Sequence, residues 1–214
     1  MPTIETAVMI PVDGVDLPGD LVVPAGARGL VVFAHGSGSS RHSPRNNHVA
    51  AVLRDRGLGT LLFDLLTGAE DATRANRFDV DRLTERLLAA TAWVRERESV
   101  GGLPLGYFGA STGAAAALRA AAERRDVGAV VSRGGRVDLA DDALAAVTAP
   151  TLFVVGSADT QVLALNRATY DRLDCEKDLA VIEGAGHLFE GPGELDRVAD
   201  LAADWFVEYL GANG

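Results

Sequence analysis

The sequence LGYFGASTGAAAAL, residues 105–118, decides the fold. An apolar run at residues 105–108 ends at the pentapeptide Gly109-Ala110-Ser111-Thr112-Gly113, and an alanine-rich helical stretch, residues 112–125, begins at once. A strand that turns sharply into a helix leaves little room beside the serine, so the residues two before and two after it must be small. Glycine occupies both positions. The stretch therefore predicts a strand–turn–helix unit with its serine at the edge of a sheet.

The same alternation of strand and helix extends over the rest of the chain. Residues 31–34, 60–63, 105–108, 129–131, 152–155 and 179–182 are apolar on both faces, which is typical of buried parallel strands. Helical periodicity occurs in residues 79–97 and 194–210, and another helix is expected to begin at Pro44. Residues 4–12 and 21–23, with turns at 13–14 and 18–19, predict an antiparallel pair at the sheet edge. The expected fold class is α/β, a mostly parallel, doubly wound, eight-stranded sheet with helices on both faces.

Composition limits the possible partners and surroundings. The 214 residues suit a single domain spanning 1–214, and the net charge of −10, from 20 Lys+Arg and 30 Asp+Glu, argues against nucleic acid. No apolar run approaches the ~18 residues of a membrane span, and the N-terminus does not resemble a signal peptide. Cys175 is the single cysteine, which excludes an internal disulfide and cysteine-based zinc sites. We expect a cytoplasmic protein without a membrane partner.

Ser111 and His187 are the candidates for a nucleophile and its base. In this architecture ligands bind at the carboxyl ends of the strands, and the G-x-S-x-G pattern after a strand is typical of a nucleophile elbow. The base follows the serine in the chain, and of the four histidines only His187, after the last strand, does so. The alternative for Ser111 is a strand-to-helix turn that merely contains a serine. The alternative for His187 is a histidine in a surface loop without a catalytic role.

Asp159 is the preferred third member of a Ser-Asp-His triad. It follows the strand at 152–155 by one short loop, and there it could orient the imidazole of His187 and stabilise its protonated form. Asp138, after the preceding strand, is the rival acid. Asp159 could also serve only as the N-cap of the next helix.

The backbone N–H groups of Ser37 and Thr112 are the expected oxyanion-hole donors. Ser37 lies in the turn His35-Gly36-Ser37-Gly38 after the strand at 31–34, and Thr112 opens the helix after Ser111. Gly36 is expected to line the substrate site, and His35 to hydrogen-bond beneath it. A phosphate-cradling loop is excluded because the turn has no Gly-Lys-Ser/Thr ending.

With these motifs the chain resembles the dienelactone-hydrolase-like group of α/β-hydrolase-fold serine hydrolases. The resemblance covers nearly the whole length and implies Ser111 as nucleophile, Asp159 and His187 as its partners, and no cofactor or metal. Dienelactone hydrolases themselves carry cysteine where this chain has Ser111. Segments resembling residues 37–47 also occur joined to phosphoribosyltransferase-like domains, and no such domain is found here. The interval 132–150 holds only one predicted short helix, around 138–146, so no cap domain and an open pocket are expected.

The expected function is hydrolysis of a small ester or thioester through an acyl-enzyme. Arg133 and Arg136 follow a strand that ends near the site, and either could bind a substrate carboxylate or phosphate, or simply form ion pairs. Arg45 has the same two interpretations. The alternatives are a binding module without catalysis and another triad hydrolase, acting on amides, lactones or carbon–carbon bonds. A homodimer is left open.

Overall fold

The computed structural model describes residues 2–211, which form helices around one eight-stranded sheet. The strands are β1 (Ile4–Val12), β2 (Val15–Val23), β3 (Leu30–Ala34), β4 (Gly59–Phe63), β5 (Leu105–Ala110), β6 (Val127–Arg133), β7 (Thr151–Gly156) and β8 (Lys177–Ile182). Their order across the sheet is β1-β2-β4-β3-β5-β6-β7-β8. β1, β2 and β4 pair antiparallel, and every other pair of neighbours is parallel. The predicted fold class is confirmed.

Helices cover both faces of the sheet. They are α1 (Pro44–Asp55), α2 (Gly68–Asp71), α3 (Arg74–Arg77), α4 (Val80–Arg95), α5 (Thr112–Glu123), α6 (Thr160–Arg172) and α7 (Glu194–Gly211). α1 and α7 pack together on one face, while α4 and α5 pack together on the other. α1 begins at Pro44 as predicted, because Ser43 Oγ caps it by accepting from the Asn46 N–H, and it ends before Gly57, whose φ is +78°.

Apolar side chains on both faces of the strands hold the layers together. In β3 all five residues are buried, and Val31 and Phe33 pack toward α1 and α7, while Val32 and Ala34 pack toward α4 and α5. Burying a large apolar side chain contributes about 1.5–3 kcal/mol, so such strands supply most of the stabilisation. α7 lies so close to the sheet that a Cβ at Gly106 would stand 2.6 Å from the Phe206 ring.

Two local predictions were wrong. Pro18 and Gly19 lie inside β2 instead of in a turn, because Gly19 gives room for Phe63 and Val8 on the neighbouring strands. The helix expected around 138–146 is two 3₁₀ segments, Val137–Ala140 and Leu144–Ala146, which place their apolar residues against α5.

The connections after β4 and after β6 differ in length in the described chain. Residues 134–150 contain the two 3₁₀ segments and no cap domain, as predicted. The long connection at 65–78 contains α2 and α3. None of the helices in residues 2–211 is both long enough and apolar enough to cross a membrane.

Candidate active site

Ser111 occupies a strained turn between β5 and α5. Its φ of 51° and ψ of −119° are unusual for a residue with a side chain and persist because the surrounding structure holds them. A Cβ at Gly109 would overlap the backbone of Ala114, and one at Gly113 would overlap the carbonyl oxygen of Ala34. Both glycines of the pentapeptide are therefore required for β3, β5 and α5 to approach each other here.

Hydrogen bonds from the end of β6 hold the backbone of this turn. The N–H of Ser111 donates to the carbonyl oxygen of Arg133 at 3.1 Å, and its own carbonyl oxygen accepts from the N–H of Arg136 at 3.0 Å. The Ala114 N–H also donates to that oxygen, at 3.1 Å. A strained backbone conformation costs of order 1–3 kcal/mol, and these bonds offset part of that cost.

Asp159 and His187 form a short hydrogen bond at the same edge of the sheet. The distance from Asp159 Oδ2 to His187 Nδ1 is 2.6 Å, and the two side chains are 15% and 38% exposed. With Nδ1 so engaged, Nε2 is the ring nitrogen left to exchange a proton with a ligand or with Ser111. In the described residues Ser111 Oγ has no hydrogen-bond partner, although Ser111 and His187 line the same cavity.

The loops that carry Asp159 and His187 are tied to each other. Ser157 Oγ accepts from the Gly184 N–H at 2.8 Å, and the Ala158 N–H donates to the Ala185 carbonyl oxygen at 3.0 Å. These two bonds fix the separation of the loops, and with it the distance between the carboxylate and the imidazole.

The geometry distinguishes the alternative roles of the acidic residues. Asp159 stands at the N-cap position of α6, yet its side chain makes no capping hydrogen bond and instead binds His187. Asp138 is engaged elsewhere, because both of its carboxylate oxygens accept from the guanidinium of Arg136, at 2.9 Å each. Of the two candidate acids, Asp159 is therefore the one that contacts the histidine.

Two backbone N–H groups are available beside Ser111. Those of Ser37 and Thr112 have no protein acceptor within residues 2–211. Gly36 approaches closely, since a Cβ there would stand 3.1 Å from Cβ of Ser111. Both N–H groups are therefore available to an acceptor bound beside Ser111, and their role as an oxyanion hole stays a prediction.

His35 lies beneath this turn and fixes its shape. Its Nδ1 donates to the Gly36 carbonyl oxygen at 3.0 Å, and its Nε2 accepts from the Leu65 N–H at 3.0 Å, so the ring is neutral with its proton on Nδ1. Burial lowers the pKa of His35, which favours that neutral form. These hydrogen bonds agree with the prediction that His35 hydrogen-bonds beneath the site.

A cavity of about 170 Å³ opens over Ser111. One side comes from the turn after β3 and the start of α1, with Gly36, Ser37, Ser39, Ser43 and Arg45. The other side comes from Ala110, Ser111, Arg133, His187 and Leu188. In residues 2–211 no cluster of three His, Cys, Asp or Glu side chains is arranged to hold a metal ion.

Arg133 and Arg136, which the sequence offered as anion-binding candidates, differ in position. Arg133 is buried beside the cavity, and its Nη2 donates to Asn46 Oδ1 at 3.4 Å. Arg136 is bound to Asp138 and does not line this cavity, so it fits the ion-pair interpretation. Sequence reasoning missed Asn46 and Leu188. Asn46 has no motif of its own, while Leu188 could have been found because it directly follows His187.

Comparison with known proteins supports the fold described above. Residues 27–204 match a family model described as an alpha/beta hydrolase domain. The chain belongs to the α/β-hydrolase family. A solved structure described as dienelactone hydrolase from Anabaena variabilis is 53% identical, with a TM-score of 0.94 over 98% of this chain and 99% of that one. Est1E from Butyrivibrio proteoclasticus is 18% identical, with a TM-score of 0.81 over 95% and 98% of the chains, and supports the fold alone.

Two relatives from Mycobacterium tuberculosis are longer than this α/β-hydrolase. They are provisionally named phosphoribosyl transferases and are 55% identical over 197 residues. The alignment covers 92% of this chain and 44% of each relative, so the chain spans less than half of their length. Their name describes proteins of which the matched hydrolase domain is one part.

Proposed function

We propose that this α/β-hydrolase cleaves a small carboxylic ester or thioester through an acyl-enzyme on Ser111. The observation that carries the proposal is the 2.6 Å hydrogen bond from Asp159 to His187 Nδ1, at the cavity that also contains the strained serine turn. A serine hydroxyl is a weak nucleophile unless a base removes its proton, and this arrangement supplies the base and the group that orients it.

The proposed reaction has two halves. Ser111 Oγ attacks the carbonyl carbon while its proton passes to His187 Nε2, and the oxyanion that forms accepts from the N–H groups of Ser37 and Thr112. Collapse of this intermediate expels the alcohol or thiol, which takes the proton from His187. Water then attacks the acyl-enzyme with His187 as base, which releases the carboxylic acid and restores Ser111.

The names of the relatives bear on this proposal in different ways. The dienelactone hydrolase relative is similar over almost its full length, and an ester bond within a lactone is the kind of bond this mechanism opens. The phosphoribosyl transferase name belongs to proteins of which this chain covers 44%. We therefore propose hydrolysis for this chain and no phosphoribosyl transfer.

A fluorophosphonate probe tests the nucleophile directly. We expect the wild-type protein to be labelled and the Ser111→Ala protein to be unlabelled, with Ser99→Ala, at an exposed serine outside the cavity, as a matched control that is labelled like the wild type. Labelling of Ser111→Ala at the wild-type rate would exclude Ser111 as the nucleophile.

Turnover separates an enzyme from a binding module without catalysis. We expect hydrolysis of p-nitrophenyl acetate by the wild type and its loss in the His187→Ala protein. His48→Ala is the matched control, because His48 binds Asp196 at 2.8 Å, outside the cavity of Ser111. If the wild type is neither labelled nor active on short esters and thioesters, the binding-module alternative holds.

A further inference from the structure

Arg133 carries a buried positive charge that no carboxylate balances within residues 2–211. It is 8% exposed, and its one hydrogen bond, from Nη2 to Asn46 Oδ1, is long at 3.4 Å. Its Nε and Nη1 atoms are buried and have no partner. Burying a charged group without partners is costly, so an anion bound beside Arg133 would be favoured.

A second arginine faces the same cavity. Arg45 extends from the first turn of α1, and its Nε is buried without a hydrogen-bond partner. Burial, and the positive charge of Arg45, lower the pKa of Arg133 to about 10, so Arg133 remains cationic at neutral pH. Two like charges beside one cavity repel each other, and an anion between them would remove that repulsion.

Nearby arginines in the same acidic protein do have carboxylate partners. Arg136 binds both oxygens of Asp138, and Arg41 binds Asp64 at 2.5 Å. The absence of such a partner at Arg133 is therefore a local property of the cavity over Ser111.

We propose that Arg133 and Arg45 bind a carboxylate or phosphate group of the substrate that Ser111 attacks. This inference rests on the proposed hydrolase function and specifies its substrate class. Arg133 lines the cavity with two of its guanidinium nitrogens unpaired within residues 2–211, and the N-terminus of α1, where Ser43 lies, adds a favourable dipole.

Ser111 and Arg133 line the same cavity, whose volume is about 170 Å³. The anionic group and the scissile carbonyl share this space, so only a few bonds can separate them. A short dicarboxylic acid esterified at one end, or a similarly short phosphorylated ester, has these dimensions.

A matched pair of esters tests the inference. Mono-p-nitrophenyl glutarate and p-nitrophenyl valerate differ only in a carboxylate that replaces a methyl group. We expect wild-type kcat/KM for the glutarate ester to exceed that for the valerate ester by at least about tenfold, a difference of about 1.4 kcal/mol. In Arg133→Met the ratio of the two values should fall by at least about tenfold. In Arg136→Met, which loses the same charge outside the cavity, it should stay within about threefold.

Binding without turnover separates this inference from the proposed function. Calorimetric titration of the Ser111→Ala protein with sodium phosphate and with sodium glutarate should show binding, weakened at least about tenfold by Arg133→Met. The anion that binds more tightly identifies the group. If Arg133→Met does not fold, Arg45→Met takes its place in both assays.

The outcomes are distinct. Absence of anion binding, or equal ester ratios in the wild type and the Arg133→Met and Arg45→Met variants, would overturn the anion site even if neutral esters are hydrolysed. Arginine-dependent anion binding by a protein that hydrolyses no ester would support the site and overturn the proposed hydrolysis.

Discussion

Replacement of Asp159 by asparagine tests how much the carboxylate contributes to catalysis. When His187 takes the serine proton, the imidazolium lies against the carboxylate at the 2.6 Å hydrogen bond. Two unit charges about 4 Å apart interact by about 4 kcal/mol at an effective dielectric constant of about 20. The His187 side chain is 38% exposed, so solvent screening reduces this value, and about 2–4 kcal/mol is a reasonable range. We therefore expect kcat for p-nitrophenyl acetate to fall about 30- to 1,000-fold in Asp159→Asn.

The rival acid provides the control for this experiment. Asp138→Asn makes the same change at a residue bound to Arg136, and we expect its kcat to stay within about threefold of the wild-type value. The assay is steady-state hydrolysis, combined with the rate of fluorophosphonate labelling, which reports nucleophilic attack by the serine without the later hydrolysis of an acyl-enzyme. A large loss in Asp138→Asn together with wild-type rates in Asp159→Asn would refute the assignment of the acid.

Three further predictions concern the supports of the site and the core. Gly134 has a φ of +52°, and a Cβ there would stand 3.4 Å from the His187 ring. Gly134→Ala should therefore lower the free energy of unfolding in urea by about 1–2 kcal/mol and reduce kcat. An unchanged unfolding free energy together with an unchanged kcat would contradict this prediction. Burial lowers the folded-state pKa of His35 below 6.5, so the contribution of neutral His35 to stability is present above pH 6.5 and is lost as the pH falls. The free energy of unfolding should therefore drop by up to about 1.4 kcal/mol between pH 7.5 and pH 5.5. The drop should be smaller in His35→Asn. The buried hydroxyl of Tyr107 lies 2.7 Å from Thr91 Oγ1, so Thr91→Val leaves it without a hydrogen-bond partner and should lower the free energy of unfolding by about 1–3 kcal/mol. Tyr107→Phe should lower it less, because Thr91 still donates to a backbone carbonyl oxygen. Equal losses in the two core variants would exclude that explanation.

Much of the fold could be predicted from the sequence because its signals are local. The buried strands are short runs of apolar residues, and α1 begins at a Ser-Pro pair that caps a helix in any context. The same local logic failed at residues 18–19. Pro-Gly usually indicates a turn, but the close approach of β1 and β4 to β2 makes a glycine necessary inside the strand.

The contents of the cavity depend on contacts between distant residues, which sequence patterns do not report. Arg133 and Asn46 are 87 positions apart and meet only because α1 packs on the face toward which β6 directs Arg133. Arg136 differs, since its partner Asp138 is two residues away and an Arg-x-Asp pair is visible in the sequence. The sequence could therefore have indicated that Arg136 forms a local ion pair with Asp138. It could not have indicated the contacts of Arg133.

Costly local features of this chain concentrate at one edge of the sheet. The non-glycine residues with positive φ in residues 2–211 are Asp13, in the β1–β2 turn, Ser111, which lines the cavity, and Phe189, which directly follows the cavity residue Leu188. The unpaired guanidinium of Arg133 lies at the same edge. Strain and unpaired buried charge reduce stability, and the core of the fold, with β3 and β5 fully buried, offsets them. Packing supports the strained turn at Ser111 but supplies no counter-charge for Arg133 within residues 2–211, whereas the proposed ligand, with a carbonyl group beside Ser111 and a negative charge beside Arg133, would give both features a role.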